Sequence, residues 1–141
     1  MSNSFNLQRF LSAQEVCYER VRQELLAGKK QTHWMWFIFP QIAGLGKSDM
    51  AQRYAIRSLD EARAYLSHEI LGERLLDCTL LACKHTDRSA LQIFGSPDEM
   101  KFHSCMTLFD LADPDYGEGD FNEAIDLFFN GARDQATLQL V

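Results

Sequence analysis

No apolar run in the sequence approaches the ~20 residues that span a bilayer. Polar Ser2, Asn3 and Asn6 at the start give no signal-peptide pattern, so the expected location is cytoplasmic with no membrane association. The four cysteines (Cys17, Cys78, Cys83, Cys105) form no CxxC pair, which argues against a disulfide scaffold and for reduced thiols acting as small hydrophobes of the core. Proline is scarce; its three occurrences are Pro40, Pro97 and Pro114. Repeats, low-complexity stretches and a linker that would split a domain are absent. Bases are outnumbered, 14 against 20 acids, for a net charge of −6. A general nucleic-acid binder shows the opposite imbalance. What is present is ordinary for a soluble domain: 46% apolar and 24% charged residues. A chain of 141 residues can bury roughly two-thirds of its unfolded surface without metal or disulfide help.

Zinc must be weighed because Cys83-x-His85 and His103-x-Cys105 form a symmetric set. Both pairs lie in segments that read as helix, where positions i and i+2 point about 160° apart and cannot chelate together. No metal and no cofactor is expected.

Helix signals dominate. Leu7, Phe10, Leu11, Gln14, Cys17, Tyr18, Val21 and Leu25 follow one helical face, with Gly28 as C-cap. Ser48 caps a second helix, and Ser58 with Glu61 is a capping box for a third. Residues 70–84 carry a fourth. Ser96-Pro97-Asp98-Glu99 predicts an N-cap serine followed by proline at N1, opening a helix that stops near Asp113-Pro114. Asp120 caps another, ending at Gly131, and a last helix follows Ala132. The expectation is an all-α, compact single-domain bundle over residues 1–141, with about six to eight helices and no significant sheet.

Charge is unevenly spread: +3 over residues 1–47, −1 over 48–95 and −8 over 96–141. The basic first third either packs near the acidic last third or hides an anion-attracting surface around residues 20–57.

Chemistry concentrates in His33-Trp34-Met35-Trp36-Phe37-Ile38-Phe39-Pro40-Gln41, which holds both tryptophans and two of ten phenylalanines within six residues. With no second good strand, this run reads as a short helix or buried irregular segment. It is either an aromatic plug or, with His33 and Gln41 flanking an apolar wall, a ligand pocket. Gly44-Leu45-Gly46-Lys47-Ser48 follows. It copies the end of a P-loop but lacks the first glycine, where Gln41 stands. What survives is a glycine turn leading to a helix start, with Lys47 adding charge for an anion. On the Ser96-led helix, Lys101, Ser104 and Thr107 or Leu108 share a face, so a lysine-activated serine is a candidate nucleophile. The histidines at 68, 85 and 103 read as satisfied side chains near helix ends or the core.

The string HWMWFIFPQIAGLGKS (His33 to Ser48), with Tyr54-Ala55-Ile56, Leu71-Gly72-Glu73-Arg74-Leu75, Ile93-Phe94-Gly95 and Lys101…Ser104…Met106-Thr107-Leu108-Phe109, resembles the bacterial family catalogued as domain of unknown function 1810, sometimes mislabelled calpastatin. The resemblance spans nearly the whole chain and implies an all-helical cytosolic protein with no established activity. The chain departs at Glu69, where the family usually has proline, and at His103 and Cys105, where arginine and serine are common.

Two functions follow as expectations. One is binding, or an enzymatic reaction, on an anionic nucleotide-like small molecule, using His33, Trp34, Trp36, Gln41, Gly44, Gly46, Lys47 and Ser48, with His33, Lys101 and Ser104 as catalytic candidates. The other is a protein-interaction module whose partner surface is the acidic last third and an exposed ring of Phe128-Phe129. Either would act as a monomer or weak dimer.

Overall fold

The computed structural model describes residues 5–141; Ser2 and Asn3, on which the expectation of no export signal partly rests, lie outside the described residues. Among the described residues nine helices follow one another: α1 (Gln8–Ala27), α2 (Met35–Ile38), α3 (Asp49–Arg53), α4 (Leu59–Ser67), α5 (Leu71–Cys83), α6 (Ala90–Phe94), α7 (Asp98–Ala112), α8 (Asp120–Phe129) and α9 (Gln135–Leu140). No strand occurs among the described residues; one isolated parallel bridge joins Ile42 and Ile56. The helical class is as expected, but nine exceeds the six to eight anticipated, because α6 was not foreseen and α2 was foreseen only as one of two alternatives, each being one turn or little more. Pieces that short carry little periodicity to read.

The long helices form where the pattern places them, except that the N-cap of α8 is Gly119 and Asp120, expected as the cap, is its first helical residue and makes no cap bond. Gly28 ends α1 in the left-handed region at φ 76°, its N–H reaching the Glu24 and Leu25 carbonyls. Ser58 caps α4 by accepting from Glu61 N–H. The start of α7 is a correction. Pro97 occupies the N-cap after a cis Ser96–Pro97 peptide, and the Ser96 hydroxyl makes no cap bond. Glu99 N–H reaches the Gly95 carbonyl instead. The capping box at Ser89–Gln92, which opens α6, was legible in the sequence and is absent from the reading above.

Helix α7 is the hub. Phe102, Cys105, Met106, Leu108 and Phe109 are all fully buried, with α4, α6, α8 and α9 around it. Along one face, buried Ser104, Thr107 and Asp110 bind the segment that joins α8 to α9. Ser104 Oγ donates to Asp134 Oδ2 (3.0 Å), Asp134 N–H donates to Thr107 Oγ1 (2.9 Å), and Arg133 Nη2 lies 2.7 Å from Asp110 Oδ2. On the other side, α1 packs on α5 and α2, and α5 on α4 and α8. Phe128 and Phe129 do not supply the exposed ring expected of them. Both are half-buried, with centroids 5.7 and 6.2 Å from Phe102, and Phe129 stacks on His103 at 3.9 Å.

Candidate functional site

The aromatic run is divided by burial. Trp34 is 1% exposed, and its indole N–H donates to Glu24 Oε1 (2.9 Å). The same carboxylate accepts from Gln31 N–H, Thr32 N–H and Thr32 Oγ1. Burial works against ionising Glu24, but these hydrogen bonds outweigh it and hold its pKa below the ordinary value. Trp34 is therefore core. Phe39 continues the core, edge-on to Phe94 and Phe102 at 5.7 and 5.1 Å. Trp36 is only half-buried.

After Pro40 the chain makes an excursion over residues 43–55 whose two ends are tied together. Ala43 N–H donates to the Ile56 carbonyl (2.8 Å) and Ile56 N–H to the Gln41 carbonyl (2.9 Å). The excursion holds the glycine turn and α3. Ser48 Oγ caps α3 by accepting from Ala51 N–H, and Gln52 Nε2 donates to the Lys47 carbonyl. Both glycines answer to packing. A Cβ on Gly46 would lie 2.6 Å from the Ala51 Cβ, and one on Gly44, at φ 105°, would lie 3.3 Å from the Leu140 side chain. The turn is built around α3 and α9, and its resemblance to a phosphate loop is superficial.

Three clefts meet around α3. The narrowest is lined by Trp36, Phe39, Gln41, Ala51, Tyr54 and Lys101. A second, of about 140 Å³, lies beside Gly44, Gly46, Ala51 and Arg57. The third is wide and open, about 870 Å³, between the start of α1 and the α3–α4 region, with Arg9, Arg53, Tyr54, Arg57 and Glu61 in its walls. Ala51, Arg57 and Tyr54 are each shared by two of the three. Trp36, Gln41, Gly44, Gly46 and Lys101, separated by up to 65 positions in sequence, thus converge on one region. Lys101 Nζ stands 4.9 Å from the Trp36 ring centre and 3.5 Å from Asp98 Oδ1; the other Asp98 oxygen is 2.8 Å from Lys30 Nζ.

The remaining candidates are placed elsewhere. His33 is exposed and lines none of these clefts. Lys47 and Ser48 are exposed, the serine spent on its cap. Ser104 is bonded to Asp134 and the Met100 carbonyl, while Lys101 turns to Asp98 and Trp36, so the two do not form an activated pair. His68 Nδ1 accepts from Ile70 and Leu71 N–H, and the His85 and His103 rings bond the Leu25 and Ala132 carbonyls. Among the described residues no group of three or more His, Cys, Asp or Glu could hold a metal ion.

Sequence reasoning missed Arg53 and Arg57. The one expectation that covered them was the anion-attracting surface around residues 20–57, although the stretch 48–95 in which they lie is itself −1. Elsewhere, a cleft of about 550 Å³ beside Tyr18 and Leu80 has both its arginines paired, Arg22 with Asp77 at 2.8 Å and Arg74 with Glu15 at 2.9 Å, while Glu73 in its wall forms no ion pair among the described residues.

No helix among the described residues is long and apolar enough to cross a membrane. No curated protein matches the chain. A solved structure of a conserved hypothetical protein from Mycobacterium tuberculosis is similar, with 47% identity and a TM-score of 0.93 over 97% of this chain and 96% of that one. The family model described as "Protein of unknown function (DUF1810)" matches residues 4–141. The chain therefore belongs to the DUF1810 family.

Proposed function

We propose that this protein binds a small, anionic, partly planar molecule of nucleotide-like chemistry in the clefts around α3. The observation that carries the reading is the meeting of a half-buried indole, a polar amide and an ammonium (Trp36, Gln41 and Lys101) around one cleft of only about 10 Å³, which side chains must widen to admit a ring and which shares Ala51 with the cleft of about 140 Å³ beside the glycine turn. Apolar walls with a few convergent polar groups are the common form of small-ligand sites. Trp36 is half-buried with the Lys101 ammonium over its ring face, 4.9 Å from the centre, so a planar ring would meet the indole surface that the lysine leaves uncovered, with positive charge beside it and Asp98 3.5 Å from that ammonium. Gln41 can read donors and acceptors on the ring's rim. The proposal is for recognition, since the groove holds no nucleophile with an activating base.

Thermal-shift measurements with a panel of mononucleotides and nucleosides test it. A ligand at a hundredfold its Kd stabilises by about 2.7 kcal/mol, several degrees for a chain of this size. The expected result is a shift with at least one nucleotide that is lost in Trp36→Phe and reduced in Lys101→Gln. No shift with any member, or one that both variants leave intact, overturns the reading.

A further inference from the structure

The wide cleft contains three arginines with different fates. Arg9 spends its guanidinium within the fold. Nε donates to the Arg53 carbonyl (2.8 Å), Nη1 to the Phe5 and Asn6 carbonyls, and Nη2 to the Ala55 carbonyl (2.8 Å) and Glu61 Oε2 (2.9 Å). Glu61, 1% exposed, is equally committed, because its Oε1 accepts from Arg57 N–H at 2.8 Å. This Arg9–Glu61 pair therefore clamps the backbone at residues 53, 55 and 57. Arg53 and Arg57 themselves are exposed, and neither forms an ion pair among the described residues. The cleft's one acid is paired with Arg9, so Arg53 and Arg57, which both line the cleft, carry charges that no acid in it offsets, on backbone held at residues 53, 55 and 57.

We propose that Arg53 and Arg57 form a subsite for the phosphate group of a small phosphomonoester. Two guanidiniums can offer paired N–H donors to the oxygens of one dianion, a geometry that lysine does not match. Holding two like charges in one cleft is unfavourable unless an anion joins them. The clamp reduces the ordering needed on binding, since the backbone beneath both side chains is already fixed. A small molecule fits better than a nucleic acid, because the chain's net charge of −6 repels a polyanion beyond the cleft. The inference rests on the reading of the α3 clefts as a ligand site. It adds that the ligand's anionic end lies toward Arg53 and Arg57, with Tyr54 lining both the wide cleft and the cleft at Trp36.

The test is calorimetric titration with inorganic phosphate, AMP and adenosine, using wild type, the double variant Arg53→Gln/Arg57→Gln and Arg63→Gln as a control arginine outside the clefts. Both target side chains are exposed, and retained melting behaviour of the double variant confirms its fold. AMP is expected to bind wild type at least tenfold more tightly than adenosine does. In the double variant that preference should vanish and phosphate binding should weaken at least tenfold, while Arg63→Gln matches wild type. Phosphate and AMP affinities within twofold of wild type in the double variant overturn the subsite. So does equal binding of AMP and adenosine by wild type. If the subsite fails but adenosine still quenches Trp36 fluorescence, the aromatic reading survives alone. Arginine-dependent phosphate binding with no Trp36 response supports the subsite and removes the aromatic end.

Discussion

Glu24 is nine-tenths buried, yet its carboxylate is charged and takes four donors from the segment that follows α1. Its lowered pKa fixes the sign of a pH effect. The stabilisation is complete above the ordinary value of 4.5 and is lost as pH falls through the lower native value. Glu24→Gln keeps one acceptor oxygen but turns an amide toward donors, which should cost about 1–3 kcal/mol at neutral pH. In urea titrations the gap between wild type and variant should narrow below pH 4.5; a gap independent of pH would contradict the account. The tryptophans separate on the same basis. Trp34→Ala empties a core volume and should cost about 3–5 kcal/mol, whereas half-buried Trp36→Ala should cost roughly half as much because water already reaches the ring.

At the scale of elements, α3 buries no residue of its own and is held by its cap, by Gln52 and by contact with the glycine turn. Gly46→Ala should therefore push on Ala51, cost about 1–3 kcal/mol and weaken any ligand bound beside the turn. Ala51→Gly alone should cost about 1 kcal/mol through helix propensity. The double variant should be more stable than the sum of the two predicts, since removing one Cβ makes room for the other. Strict additivity in denaturant unfolding would mean the two positions do not touch. The elements most legible in the sequence were those with several turns and a capping residue, such as α1 and α4, or with several turns and a long apolar face, such as α5. Helix α6 had its capping box at Ser89–Gln92, but only five helical residues to support it. The serine before Pro97 carried a strong local signal, and the chain turns there by a different route.

Across the whole molecule, burial sets the state of the thiols. Desolvation pushes Cys78 up to about 12 and Cys83 up to about 11, raises Cys105 well above its ordinary value, and also raises Cys17. The native protein should react slowly with a thiol-specific disulfide reagent at pH 8, while all four cysteines react promptly once it is unfolded in guanidinium. A cysteine modified at the rate of a free thiol in the folded protein would refute this. Three of the ten acids of the last third are taken up by the fold: Asp110 and Asp134 anchor the α8–α9 segment to α7, and Asp98 joins Lys30 to Lys101.

The sequence alone determined the helical class, most helix faces, the glycine turn with its capping serine, and the family. Those features depend on spacing, capping and local backbone preference, all of which act within a few residues. It could not tell Trp34 from Trp36, because two positions in one aromatic run differ only in what the rest of the chain lays over them. Nor could it show that Lys101 belongs with Trp36 rather than with Ser104, although a helical face puts the last two side by side. Arg53 and Arg57 stood out least. Their significance depends on Arg9 and Glu61, some fifty positions apart in sequence, being consumed by each other and by the backbone between the two arginines. Only the tertiary structure decides which charges are spent and which are left to meet a ligand.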